Sequence, residues 1–127
     1  MREERLLSVG IDIGTSTTQC VFSAITLSNT ASAFSVPRIQ ITEKRVLYRA
    51  PLRLTPLTSP ETIDAQAVER IVSEDYAAAG IRPDQIRLGA VIITGETARK
   101  QNARAVAQAL SRLAGDFVVA VGGPALA

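Results

Sequence analysis

One stretch constrains this chain more than any other: Gly10-Ile11-Asp12-Ile13-Gly14-Thr15-Ser16-Thr17-Thr18-Gln19. The apolar run Leu6, Leu7, Ser8, Val9 precedes it. The stretch therefore begins as the end of a buried strand and breaks into a tight turn. Gly14 can take a backbone conformation closed to other residues. Thr15, Ser16 and Thr17 offer successive backbone N–H groups and hydroxyls, which is how a loop cups a phosphate without a side-chain cation. Asp12 stands at the strand mouth. A carboxylate there can hold a water of a Mg²⁺ shell, because Mg²⁺ binds oxygen and keeps several waters.

The residues after the turn separate the known phosphate loops. A Rossmann or P-loop unit continues into a helix whose N-terminus faces the phosphate. Here Thr17, Thr18, Gln19, Cys20, Val21, Phe22, Ser23, Ala24 and Ile25 are rich in β-branched residues and carry no helical stripe. They predict a second strand and a β-hairpin. No Gly-Lys-Ser/Thr and no Gly-x-Gly-x-x-Gly occurs. A strand, an Asp-x-Gly turn rich in Thr and Ser, and a returning strand resemble the first phosphate-binding hairpin of the actin, sugar kinase and heat-shock chaperone superfamily of ATPases. An ordinary hairpin with a glycine in its turn has the same local pattern, so both readings stand at this point.

The rest of the chain supplies a frame. Residues 6–13 predict a first strand, buried on both faces if central, and residues 17–28 its antiparallel partner. Ser28, Asn29 and Thr30 predict a turn. A third strand is expected from about Ala33 to Ile41, with Pro37 marking a bulge or an edge. Residues 42–58 read as irregular, with a short alternating strand interrupted by Pro51. Lys44, Arg45, Arg49 and Arg53 in this region fit a solvated edge that resists aggregation, or a surface that docks a partner protein.

Thr58, Ser59, Pro60, Glu61 and Thr62 read as a helix start. The helix is expected over 63–79, with Val68, Ile71, Val72, Tyr76 and Ala79 as its apolar stripe. Glu69, Arg70, Glu74 and Asp75 are expected mostly on its wet side, and Gly80 ends it with Pro83 just beyond. Leu88 to Thr94 reads as a central parallel strand. It runs into the polar loop Thr94-Gly95-Glu96-Thr97, and active sites of open α/β sheets lie at such strand ends. A second helix is expected over 97–113, with the stripe Ala103, Val106, Ala107, Leu110 and Leu113, stopped by Gly115. A short buried strand follows from Phe117 to Val121. The expected fold class is α/β: a ribonuclease H-like lobe of the actin-like ATPase type, a mixed sheet of about five strands with helices packed on it.

Composition narrows the chemistry. The 127 residues form one domain or part of one. Hydrophobic residues make up 46% and charged residues 20%, enough apolar material for a core. Aromatic residues are 4%, and the net charge of +2 is small, so neither base stacking nor a basic footprint marks a nucleic-acid binder. The single cysteine, Cys20, excludes an internal disulfide and fits a reducing, cytosolic compartment. It reads as a buried small hydrophobe. With no His, there is no His base and no His-based triad. No apolar run approaches membrane-span length.

Four segments together carry a specific resemblance. They are the hairpin stretch from Ser8 to Gln19, Ile92-Ile93-Thr94-Gly95-Glu96-Thr97-Ala98, Gln101-Asn102-Ala103-Arg104, and Gly115-Asp116-Phe117-Val118-Val119-Ala120. In this order and spacing the chain resembles the N-terminal part of the ethanolamine ammonia-lyase reactivating factors. The resemblance implies a chaperone-like activity that releases damaged cobalamin from an adenosylcobalamin enzyme, in a cycle that needs ATP and Mg²⁺. It implies ethanolamine ammonia-lyase as partner, and it allows association with a bacterial microcompartment. It would place Asp12, Gly14, Thr15, Ser16 and Thr17 at the nucleotide phosphates, with Asp12 also serving the metal. Thr94, Gly95 and Glu96 would line the same cleft.

Members of that family are several times longer and carry a second Asp-x-Gly-Gly-Gly-Thr hairpin. Gly122-Gly123-Pro124 is not that hairpin, so the chain is expected to supply one lobe only. Two other functions share the frame. One is a lobe of a sugar or acyl kinase, for which Glu96 is the candidate loop base, although Glu96 also fits an early-helix acid. The other is an interaction domain without chemistry. Arg99, Lys100 and Arg104 fit a solvated helical face and give no reason to expect nucleic acid.

Overall fold

The computed structural model describes residues 2–29, 39–95, 97, 100–111 and 116–121. Strand β1 (Arg2–Ile13) turns back into β2 (Thr17–Asn29), and the two pair antiparallel over their whole length, from Arg2 opposite Asn29 to Ile13 opposite Thr18. Strand β3 (Ile39–Arg49) pairs antiparallel with the outer edge of β2. Two-residue β4 (Arg53–Leu54) extends that edge, pairing with Thr17 and Thr18. A small hairpin, β5 (Leu57–Ser59) and β6 (Thr62–Ile63), leads into helix α1 (Ala65–Ala79). Then come β7 (Ile86–Ile93), helix α2 (Ala103–Ser111) and β8 (Asp116–Val121). Strand β7 lies parallel to β1, and β8 parallel to β7. The sheet order β3-β2-β1-β7-β8 is the ribonuclease H-like wiring expected from the sequence.

Register explains which face is buried. Side chains alternate along a strand. Val9, Ile11 and Ile13 of β1 therefore point to one side, together with Cys20 and Phe22 of β2 and Val91 and Ile93 of β7. All are 2% exposed or less. Both helices pack on this side: Val68, Val72 and Tyr76 come from α1, and Ala103, Val106, Ala107 and Leu110 from α2. The Phe22 and Tyr76 rings meet edge to face with centroids 5.0 Å apart, a favoured aromatic geometry. On the other side Gly10, Val21 and Ala90 are half-buried, and Leu88 and Ile92 are exposed. An open groove of about 330 Å³ runs over this second face, with Lys44 at its rim.

Several expectations change here. β1 is central, yet only one of its faces is fully covered, because both helices lie on the same side of the sheet. The third strand is Ile39–Arg49 rather than the segment from Ala33 to Ile41. Residues 30–38 lie outside the described residues. This edge strand is exposed along most of its length, so its charges interrupt the apolar alternation by which a strand is recognised. The expected helix start at Thr58 to Thr62 is the β5–β6 hairpin, turning at Pro60 and Glu61. The cap is Asp64, whose Oδ1 accepts from the Ala67 N–H at 3.1 Å. Gly80 does end α1, in the left-handed conformation at φ 72°. Helix α2 begins at Ala103, not 97. Leu113 and Gly115 lie outside the described residues, as do the side chains of β8.

Asp75 departs furthest from expectation. The periodicity of α1 puts it mostly toward the wet side, and it is 0% exposed. Its Oδ1 lies 2.7 Å from Nη1 of Arg53 on β4. Arg53 in turn is 28% exposed and ion-paired rather than a freely solvated edge charge. The neighbouring Cys20 thiol is pushed far above its ordinary range, first by burial and then by the Asp75 charge. A thiol so held is protonated and unreactive.

Two outcomes follow for the core. Phe22→Ala is expected to cost about 3–5 kcal/mol, read as a lowered midpoint in urea. Cys20 in the folded protein is expected to resist a thiol reagent at pH 8 and to react once denaturant unfolds it, which a colorimetric thiol assay measures.

Candidate functional site

β1 and β7 are parallel neighbours, so the loops that follow them emerge from the same end of the sheet. Thr94 continues the ladder one step past the strand, its N–H donating to the Ile13 carbonyl at 3.1 Å. That bond sets the loop after β7 beside the turn between β1 and β2. Asp12, Gly14, Thr15, Ser16, Thr17, Thr94 and Gly95 are thereby gathered at one end of the sheet. Glu96 lies outside the described residues. The side chains of Asp12, Thr15, Ser16 and Thr17 are exposed, and Thr94 and Gly95 are half-buried. Asp12 falls on the open face of the sheet, between Gln19 of β2 and Ile92 of β7.

The turn is closed by the Gly14 N–H donating to the Thr17 carbonyl at 2.8 Å. Gly14 does not use the left-handed freedom expected of it; that conformation belongs to Gly95, at φ 65°. A Cβ on Gly95 would fall 2.0 Å from Oγ1 of Thr15. The second loop thus packs on the Thr15 side chain, and a Cβ at Gly95 would require the Thr15 hydroxyl to move, while the Thr15 backbone N at 3.7 Å would be in ordinary contact. Close backbone approach is the second use of glycine, and here it joins the two loops.

Two residues missed in the sequence hold the turn from behind. Thr55 donates its N–H to the Ser16 carbonyl at 2.9 Å and its hydroxyl to the Gly14 carbonyl at 3.1 Å. Thr97, 1% exposed, donates its hydroxyl to the same Gly14 oxygen at 2.7 Å. Oγ1 of buried Thr18 lies 3.0 Å from Oγ1 of Thr55. The Thr55 proton is already committed to Gly14, so Thr18 is the donor in that contact. Thr97 stood inside the polar loop noted in the sequence. Thr55 stood in the segment read as irregular, 41 positions from its Gly14 partner, and no local pattern announces such a bond.

The arrangement suits a phosphate-bearing ligand with Mg²⁺. Hydroxyls and backbone amides are the donor set of a phosphate-binding nest. No group of three or more His, Cys, Asp or Glu that could cage a metal occurs among the described residues. A lone exposed carboxylate such as Asp12 fits a cation that reaches the protein through its waters and the ligand's phosphates.

The chain has the actin-like ATPase fold, and solved structures with that fold share its path. The Aquifex aeolicus PPX-GPPA enzyme matches 94% of this chain with 36% of its own, at a TM-score of 0.57 and 12% identity. An exopolyphosphatase-like protein matches 91% with 33% of its own, at a TM-score of 0.52 and 16% identity. At such identities the likeness concerns the fold. The sequence carries the assignment further. Residues 4–127 match the family model described as "Ethanolamine utilisation protein EutA", and the chain belongs to that family. The protein named ethanolamine ammonia-lyase reactivase EutA in Escherichia coli K12 is 44% identical over 126 residues. Its Salmonella typhimurium counterpart is 43% identical over 126 residues. Both alignments take in 99% of this chain and 27% of the relative, so the chain spans about a quarter of the length of these relatives.

The contact between the two loops is testable without a ligand. Gly95→Ala is expected to destabilise the protein by about 1–3 kcal/mol, from φ strain together with the clash on Thr15. Adding Thr15→Ala removes Oγ1 and is expected to return part of the loss, the φ strain remaining. Chemical denaturation of the two variants measures both quantities.

Proposed function

We propose that this chain is the first of two lobes of an ATP-dependent reactivase for ethanolamine ammonia-lyase, and that its hairpin turn receives the nucleotide phosphates. The carrying observation is the convergence of the Gly14–Thr17 turn and the Thr94–Gly95 loop at one end of the sheet, in a chain that matches the named reactivases over its length. In this reading Thr15, Ser16 and Thr17 hold phosphate oxygens through amides and hydroxyls. Asp12 orients a water of the Mg²⁺ shell. Thr94 and Gly95, with Glu96 beside them, wall the cleft from the β7 side. Bound ATP and Mg²⁺ supply the free energy of a conformational cycle; the lobe's own part is to bind, orient and respond.

In the whole protein that cycle would drive release of damaged cobalamin from the lyase, so that intact cofactor can enter. The lyase is the partner, and the cytosol or an associated microcompartment is the setting. No helix among the described residues is long and apolar enough to cross a membrane. Actin-like ATPases clamp nucleotide between two lobes, so these 127 residues alone are expected to bind MgATP weakly or not at all.

The test uses a polypeptide of the relatives' full length that begins with this chain. Asp12→Ala is expected to abolish reactivation of inactivated lyase and to leave the melting temperature within a few degrees of the parent. Normal reactivation by that variant rejects a metal role for Asp12. Calorimetric titration of the 127-residue chain with MgATP supplies a second check, since micromolar binding there rejects the two-lobe placement of the site.

A further inference from the structure

The buried ion pair and the two missed threonines belong to one device. Helix α1 buries a carboxylate, Asp75, in an otherwise apolar core. Neither oxygen of that carboxylate has a hydrogen-bond partner among the described residues, and neither has Nη1 of Arg53, so the 2.7 Å contact between them is an ion pair without hydrogen-bond geometry. A buried charge is retained at a cost, and breaking its pair costs more still. The pair adds a side-chain tie to the ladder that joins β4 to β2: Arg53 lies 2.7 Å from Asp75, and Thr55 stands two residues on. Residues two apart on an extended segment share a side, so anchoring Arg53 inward also turns Thr55 inward.

Thr55 then acts on the turn through peptide geometry. In a trans peptide the C=O and the following N–H point in opposite directions, and no cis peptide occurs among the described residues. The Gly14 carbonyl is drawn back by Thr55 and Thr97, which directs the Thr15 N–H the opposite way. The Ser16 carbonyl is drawn back by the Thr55 N–H, which directs the Thr17 N–H opposite to it. Thr55 thus sets two alternate peptide planes of a four-residue turn, and Thr97 sets one of them a second time. Donors fixed before the ligand arrives need no reorganisation on binding.

We propose that Thr55, anchored through the Arg53–Asp75 pair, and Thr97 are positioning residues that preset the turn amides for an anionic phosphate group. This rests on the functional reading above and deepens it. Neither residue need touch the ligand; each acts through the carbonyls of Gly14 and Ser16.

The test is again made in a polypeptide of the relatives' full length, with MgATP and adenosine titrated separately by calorimetry. Thr55→Val keeps shape and backbone N–H but loses the hydroxyl, and Thr97→Val does the same on the other side. Each is expected to weaken MgATP binding by about tenfold, the scale of one lost hydrogen bond at a charged ligand, and to leave adenosine binding unchanged. Thr55→Ser and Thr97→Ser are expected to restore MgATP binding. A merely structural role would weaken both ligands together or neither, and that result overturns the proposal. So does MgATP binding by both valine variants within twofold of the parent. Should Thr55→Val fail to fold, Thr97→Val decides the same question at the same carbonyl. A parent protein that binds no MgATP overturns the functional reading itself, and this inference with it. Binding by the parent with valine variants unaffected overturns only the inference.

Discussion

Both edges of β1 are hydrogen-bonded, one antiparallel to β2 and the other parallel to β7. That single circumstance arranges most of the lobe. The antiparallel edge requires a tight turn at Gly14, because β2 must return directly alongside. The parallel edge requires a crossover, and the chain supplies α1 on the way to β7. Since β1 and β7 run the same way, the turn after one and the loop after the other meet at a common end. The side chains of the three strands are in register, so Val9, Ile11 and Ile13 share a face with Cys20, Phe22, Val91 and Ile93. Both helices then pack on that face, and Asp12 is left on the other.

The turn at that end is tied to distant segments through its backbone carbonyls. Gly14 offers one oxygen with two lone pairs, and both are taken, by threonines 41 residues and 83 residues away in sequence. Gly95, at φ 65°, lets the second loop close on Thr15, whose hydroxyl occupies the place a Cβ would take. Asn102 adds a tie from the start of α2, with Nδ2 and Oδ1 bonded to both backbone groups of Ile63 at 2.8 and 2.9 Å. These segments are thus cross-linked by the side chains of Thr55, Thr97 and Asn102. Such a frame constrains the directions of the turn's polar groups, which an ordinary hairpin bend without these ties does not.

A fold of this class hosts many functions, so fold alone does not select one. Membership of the EutA family does narrow the choice, since the relatives are named as reactivases of ethanolamine ammonia-lyase. The chain corresponds to about a quarter of those relatives. At one end of its sheet it gathers hydroxyls of the Gly14 turn, the Thr94–Gly95 loop and the Asp12 carboxylate. The open face of the sheet, with Leu88 and Ile92 exposed beside half-buried Gly10, Val21 and Ala90, lies next to Asp12 on the same side.

Local chemistry fixed by itself a good deal of this protein. Strand β2 after the Gly14 turn, the left-handed stop at Gly80, the apolar stripes of both helices and the run Leu88 to Ile93 were all legible, because each depends on neighbours within a few residues. The placing of the two polar loops side by side came from the family resemblance, and the parallel pairing of β1 with β7 is what brings Gly14 and Thr94 to one end of the sheet. The tertiary structure alone decided the rest. Edge strand β3 was obscured by exposed charges that break its alternation, and the β5–β6 hairpin resembled a capped helix start until its cross-strand partners were known. Asp75 looked like a solvent-facing acid because α1's own periodicity cannot show that Arg53 waits across the core. Thr55 was invisible for the same reason: a hydrogen bond 41 residues long in sequence leaves no trace in the residues on either side of it.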